Sequence, residues 1–388
     1  NLTGNSLSGT IPKEIESLTK LTSLSLAANN LTGSIPPEIG SLSNLTSLYL
    51  SSNSMTGSIP KEIGLLTKLS TLDLSRNYFT GTIPHEIGSL TSIYSLYLNH
   101  NQLSGQLPPE IGNITNTRYL YLNNNKFSGE IPSHMGNLNN LLFLYLSSNY
   151  LSGAVPSEIN NITQLRYLML DNNDLEELPL LSFTLLDSLK IQNNRFTFED
   201  IEPNLNVAKR AFYYSTQDSI GTESSIIKAE GEEYTLSIDP VGGTNNVYQW
   251  HKNNILMPGQ KGITLTIPDL KKTDEGSYTC AVTNTNVPEL TIWSRPVNLV
   301  ISTTTHTDDE TLNGVIIYPN PASEKIKVIV PADYRNSLVE IIDYSGKAVV
   351  KQFLQGSNEI SLYGLAKGIY LLRIKYGLKS YSQKIIIK

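Results

Sequence analysis

The chain has 388 residues, 39% of them hydrophobic, with 29 basic and 35 acidic side chains and a formal net charge of −6. That length suits two or three domains with packed cores, and charges of both signs interspersed along the chain exclude nucleic-acid recognition through a basic face. No apolar run reaches about 18 residues, so no transmembrane segment is expected. The one cysteine, Cys280, permits no internal disulfide, and so few cysteines favour a bacterial exported protein over a secreted eukaryotic one.

From Asn5 to Asn173 one phrase of 24 residues recurs. Its second copy reads Leu21-x-x-Leu24-x-Leu26-x-x-Asn29-x-Leu31-Thr32-Gly33-x-Ile35-Pro36-x-Glu38-Ile39-Gly40-x-Leu42. The asparagine returns at Asn53, Asn77, Asn101, Asn125, Asn149 and Asn173, then after a shorter step at Asn194. A fixed period of this size predicts a solenoid. Leu-x-x-Leu-x-Leu alternates apolar and polar residues and predicts a short strand with one buried face. The asparagine amide both donates and accepts, so it suits a buried turn. Pro ends strand pairing, and the spacing of three at Ile39, Leu42 and Leu45 predicts a 3₁₀-like return on the opposite side. Leu2-x-x-Asn5 matches the tail of a phrase, so sequence upstream of residue 1 is expected and the lack of a signal peptide decides nothing. After Asn173 the pattern decays into an acidic stretch, Glu199-Asp200-Ile201-Glu202, read as a polar terminal cap.

These phrases resemble the leucine-rich repeat family, and the Leu-Thr-Gly-x-Ile-Pro-x-Glu-Ile-Gly wording resembles its plant-specific subclass, which also occurs in bacterial surface proteins. The resemblance implies a curved solenoid with a parallel sheet on its concave side, used to bind a partner. In Leu-x-a-Leu-b-Leu-c-d-Asn, positions a to d are expected to face the concave side. Position b holds Ser25, Tyr49, Asp73, Tyr97, Tyr121, Tyr145 and Met169; position a holds Ser23, Ser47, Thr71, Ser95, Tyr119, Phe143 and Tyr167. Positions c and d are mostly Ser and Asn, with Arg76, His100 and Asp171 among the variants. Such aromatic rows stabilise a sheet by themselves. They also form a recognition surface with apolar area, hydroxyls and little entropy to lose, suited to sugars or extended peptides. The expected ligand-binding residues are Tyr49, Asp73, Tyr97, Tyr121, Tyr145, Tyr119, Phe143, Tyr167 and His100.

From about residue 207 to 302 the period stops, and short alternating runs predict an all-β sandwich. Tyr248-Gln249-Trp250, followed by Asp274-x-Gly276-x-Tyr278-x-Cys280, resembles the immunoglobulin fold. The resemblance implies a core tryptophan at Trp250, a tyrosine corner at Tyr278 and the later-strand cysteine at Cys280. Leu236 stands where the partner cysteine is expected, so packing of Leu236, Trp250 and the thiol replaces the bridge. The expected role is that of a spacer.

Residues 303–313 are polar and apolar-poor and are read as a linker. Residues 314–388 show alternating strands with Ser-Gly and Tyr-Gly turns, a second small sandwich. Tyr318-Pro319-Asn320-Pro321, Asp343-x-x-Gly346-Lys347, Leu365-x-x-Gly368-Ile369-Tyr370 and a terminal strand ending at Lys388 resemble the C-terminal sorting domain of the Bacteroidetes type IX secretion system. That resemblance implies export through the periplasm by the type IX machinery to the outer surface or medium of a Gram-negative bacterium.

The expected fold class is mixed, a leucine-rich repeat solenoid with a parallel sheet and a 3₁₀ or irregular convex side, followed by two all-β sandwiches. Five scattered histidines, no phosphate loop and no nucleophile elbow give no catalytic residue, metal site or cofactor to expect. Glu14, Glu38, Glu62, Glu86 and Glu110 recur on the return side as a solvated row. The expectation is a non-enzymatic secreted or surface adhesion protein that recognises an extracellular protein or polysaccharide. The alternative is the accessory region of an exported enzyme whose catalytic domain lies upstream of residue 1.

Overall fold

A computed structural model describes residues 1–302, 315–331, 334, 336–343, 346–354, 359–377 and 379–388. The linker expected at 303–313 lies outside the described residues. The chain forms two compact units, Asn1–Ser302 and Thr303–Lys388.

Each phrase in the first unit makes one turn of a solenoid. Three-residue strands such as Ser47–Tyr49, Thr71–Asp73 and Ser95–Tyr97 pair in parallel into a nine-stranded sheet. Leu48, Leu72, Leu96, Leu120, Leu144 and Leu168 stand in register and are fully buried. No single repeat encloses its own leucines, so the stack is the folding unit. On the return side, Pro36 holds an extended φ of −69° and opens a 3₁₀ turn over Pro37–Ser41. Its bonds run three residues back, from Ile39 N to Pro36 O at 3.0 Å and from Leu42 N to Ile39 O at 3.1 Å. Adjacent turns touch so closely that a Cβ on Gly64 would lie 2.5 Å from the Glu86 carbonyl oxygen. Asn160 replaces this glycine where the next repeat turns irregular. Its amide donates to Leu180 O at 3.0 Å and accepts from Ser182 N at 2.8 Å.

The asparagine row is buried and bridges repeats. Asn77 donates to Leu74 O of its own turn at 3.2 Å and to Leu50 O of the turn before at 3.0 Å, while its carbonyl accepts from Met55 N at 3.0 Å. A second parallel sheet joins Ser104–Gly105, Lys126–Gly129, Tyr150–Ala154 and Asp174–Glu177. The Gly-x-Ile-Pro step suggested only a break in pairing. The proline does end each strand, but the extended residues ahead of it already pair across repeats through bonds such as Thr56 N to Gly33 O at 2.7 Å.

The concave sheet continues past the boundary expected at residue 206. Ser188–Lys190 pairs with Tyr167–Met169, and Ala211–Tyr213 pairs with Ser188–Lys190. The acidic stretch is not a free polar cap, because the β-sandwich covers it. Phe198 N donates to Val241 O at 3.1 Å. The Glu202 carboxylate accepts from Thr244 N at 2.7 Å, from Thr244 Oγ1 and from Asn286 Nδ2. One continuous buried core runs from Ile11 to Ile301. An open leucine stack needs a cover, and here the sandwich supplies it; the expected spacer is packed directly onto the solenoid.

Within that sandwich, Asn246–Lys252 and Gly276–Asn284 pair antiparallel and place Trp250 opposite Cys280. Leu236, Trp250 and Cys280 are buried at 2%, 1% and 0% exposure, which is the packing expected in place of a bridge. The Tyr278 hydroxyl donates to Asp274 O at 2.6 Å, closing the tyrosine corner. The second unit packs a sheet of Ile316–Tyr318, Lys325–Ile329 and Glu359–Ser361 with one of Ala348–Phe353, Leu338–Ile342, Gly368–Tyr376 and Lys379–Ile387. Ile326, Val339, Ile341, Leu372 and Ile385 form its core.

Candidate functional site: the concave aromatic rows

Parallel pairing sets equivalent side chains side by side. Tyr97, Tyr121 and Tyr145 are register partners, as are Tyr119, Phe143 and Tyr167 on the adjacent row. Tyr121 and Tyr145 stack with ring centroids 4.4 Å apart and planes 4° from parallel. Phe143 stacks between Tyr119 at 5.0 Å and Tyr167 at 4.7 Å, and Tyr97 meets Tyr121 edge-on at 5.0 Å. The six rings are half-buried. The faces of Phe143, and of Tyr121 and Tyr145 toward each other, are therefore turned on neighbours, so these rings present edges rather than open faces. Burial first, and then the crowding of neighbouring phenols, raises the pKa of Tyr121; burial is also the first cause at Tyr119 and Tyr145. These phenols stay protonated through the physiological range and remain capable of donating.

The other expected residues stand around this cluster rather than in it. Tyr49 is separated from Tyr97 by the Asp73 rung. Asp73 Oδ1 accepts from Ser75 N at 3.0 Å and from Ser75 Oγ at 2.7 Å. His100 occupies a left-handed turn, φ 57°, beside Asn99 Nδ2 at 2.9 Å; burial and then the charge of Arg76 hold its pKa below the ordinary histidine value. Met169, the next rung after Tyr145, is buried.

Sequence reading missed four neighbours. Tyr94 and Arg118 lie one residue before their strands, where Tyr94 packs 5.6 Å from Tyr119 and the Arg118 guanidinium lies 5.4 Å from the Tyr94 ring centroid. Lys190 continues the row of Tyr145 and Met169, and its ammonium lies 5.3 Å from the ring of Tyr213 on the last rung. Aligning the shorter step between Asn173 and Asn194 with the earlier copies is the signal that finds Lys190.

Burial pushes the Cys280 thiol up to about 11, so it is not a poised nucleophile. Among the described residues no cluster of His, Cys, Asp or Glu has the makings of a metal site, and no helix is long and apolar enough to cross a membrane. Glu14, Glu38, Glu62, Glu86 and Glu110 sit in the first turns of successive 3₁₀ segments.

In the second unit the motif residues act as fasteners. Between Pro319 and Pro321, Asn320 donates to Lys384 O and accepts from Ile386 N, both at 2.9 Å, and Lys388 N donates to Ala322 O at 2.8 Å. The start of the unit is thus tied to its last strand. Gly346, φ 84°, turns the hairpin that Lys347 N closes on Asp343 Oδ1 at 3.1 Å. Gly368 opens a strand, and the Tyr370 hydroxyl donates to Ala366 O at 2.9 Å.

Comparison with known proteins agrees with this division. Leucine rich repeat models match residues 43–103 and 20–42, 116–138 and 140–162. An immunoglobulin domain model matches 219–284, and a secretion system C-terminal sorting domain model matches 316–388. A search of the curated proteins returns no match. The ectodomain of the plant membrane receptor kinase GASSHO1/SCHENGEN3 from Arabidopsis thaliana, solved with CASPARIAN STRIP INTEGRITY FACTOR 2, is 34% identical with a TM-score of 0.54, over 58% of this chain and 27% of its own. The plant peptide hormone receptor RGFR1, solved with RGF2, is 36% identical with a TM-score of 0.52, over 57% and 36%. A plant ice-binding protein is 28% identical with a TM-score of 0.50, over 57% and 71%. The chain thus spans only about a third of the receptors' length. Type IX sorting domains direct export, so an extracellular or surface location follows from the tail. This chain is a leucine-rich repeat protein with an immunoglobulin-like domain and a type IX secretion C-terminal sorting domain.

Proposed function

We propose that the protein is a secreted or surface-displayed adhesion protein without catalytic activity. It recognises an extracellular protein or polysaccharide through the concave face of its repeats. The solenoid to about residue 206, with the one rung at Ala211–Tyr213 that follows, carries the ligand. The sandwich to residue 302 covers its end, and residues 314–388 serve export. The observation that carries this reading is the double aromatic row, in which six rings are half-exposed on a sheet whose other repeats present mainly Ser, with Ala and Thr. Rigid aromatic side chains with hydroxyl edges are efficient binding surfaces, because little side-chain entropy is lost on contact. Solved relatives of the repeat region include receptors with ligands bound.

The test is a binding screen of the full chain against matrix proteins and polysaccharides, repeated with Tyr97→Ala combined with Tyr121→Ala. Loss of the recovered ligand, with an unchanged circular-dichroism spectrum, is the expected outcome. Retention of that ligand by the double variant rules the concave face out.

A further inference from the structure

Residues 1–302 carry 27 acidic and 18 basic side chains, yet the balance of charge beside the aromatic rows is positive. Arg118 lies against Tyr94 and Lys190 against Tyr213, and neither makes an ion pair among the described residues. Asp73 and Asp171 accept only from neutral groups, Ser75, Ser147 Oγ at 2.6 Å and Asn172 Nδ2 at 2.7 Å, and keep their charge. Arg76 beside His100 adds to Arg118 and Lys190, however, and the cations outnumber them. Asp187 lies between Arg166 at 3.5 Å and Arg210 at 3.3 Å.

The rings add to the same bias. An aromatic ring is negative on its face and positive at its edge. With the faces of Phe143, Tyr121 and Tyr145 turned on neighbours, the surface shows edges. A pyranose ring held by stacking needs an open face, which the interior of these rows does not offer. Burial and the neighbouring phenols keep the Tyr121 hydroxyl protonated, so it is able to donate outward. From Tyr97 to Lys190 there are four strand spacings, roughly 19 Å, which about six residues of extended chain would span.

Resting on the concave-face reading above, we propose that the ligand is an acidic, extended polypeptide segment. Its carboxylates meet Arg118 and Lys190, and its backbone carbonyls accept from the tyrosine hydroxyls between them. Charge recognition of this exposed kind weakens with salt.

The full chain would be panned against displayed random peptides of about twelve residues, roughly twice the span of the rows, with an oligogalacturonide series measured alongside as the acidic-sugar probe. The proposal expects enrichment of Asp and Glu, and affinity that falls as salt rises. It expects about a fivefold loss with Arg118→Ala or Lys190→Ala, the effect of one close charge pair in water. Tyr121→Phe with Tyr145→Phe, which keeps the rings and the fold, is expected to weaken the same peptides. Enrichment of neutral or basic peptides that still depend on Tyr97 and Tyr121 overturns the acidic-ligand inference and leaves the concave site standing. Tighter, tyrosine-dependent binding of the oligogalacturonide overturns the choice of polypeptide. Peptides indifferent to the tyrosine variants overturn both this inference and the concave reading.

Discussion

The asparagine row and the tyrosine row of the solenoid repeat at the same interval and have opposite fates. Asn77 is 6% exposed, and its amide is committed to four backbone groups in two turns. Tyr121 is half-exposed, and its ring face is committed to Tyr145 while its edge is not. The periodic residue that leaves nothing unsatisfied builds the stack. The one that leaves donors and edges at the surface is the one fit for a partner.

The largest expected effect falls on the buried row. Asn77→Ala orphans Met55 N and takes one of two amide donors from each of Leu50 O and Leu74 O, which keep Asn53 and Asn101, and a loss of about 3 kcal/mol is expected from urea unfolding of the first unit. Gly64→Ala forces the Glu86 carbonyl away from a new methyl and is expected to cost about 2 kcal/mol by the same measurement. Tyr121→Ala removes one stacked and one edge-on partner at a half-exposed position, so about 1 kcal/mol is expected. If Tyr121→Ala proves as costly as Asn77→Ala, the contrast between the rows collapses and the tyrosines are structural.

The smallest effect concerns the covered end. Hydrogen bonds from the Thr244 side chain and backbone hold the Glu202 carboxyl below its ordinary pKa. A carboxyl more acidic when folded contributes stability above its unfolded pKa and loses it as pH falls through the folded one. The melting temperature is therefore expected to drop on acidification below the ordinary carboxylate range. Glu202→Gln is expected to shallow that acid limb. An identical limb in the variant would place the acid sensitivity elsewhere.

The repeat grammar made the solenoid legible, because leucine spacing and asparagine period follow from the packing of each turn on the next. Tyr248 to Cys280 likewise announced the sandwich. The second parallel sheet was not legible, since its bonds are backbone to backbone and leave no side-chain pattern beyond Gly-x-Ile-Pro. Nor was the shared core, which depends on Val241 reaching Phe198 across a distance in sequence that no local pattern encodes. For the candidate site, the identity of the rows was readable, but the orientation of the rings was not. A tyrosine in a strand faces up or sideways according to its neighbour's bulk, and the sideways stack at Tyr121–Tyr145 is what turns edges outward. Lys190 was hidden by the shortened repeat, and Tyr94 and Arg118 by lying just outside their strands.

The central claim is that a partner rests on the half-exposed tyrosine rows, and nitration footprinting of the full chain with its recovered ligand tests it most directly. Tyr78 and Tyr150, 52% and 59% exposed and outside the concave strands, serve as internal references. Protection of Tyr97, Tyr121 and Tyr145 by ligand, with unchanged modification of Tyr78 and Tyr150, is the predicted result. Protection of Tyr78 or Tyr150 while the rows stay as reactive as in the free protein would contradict it.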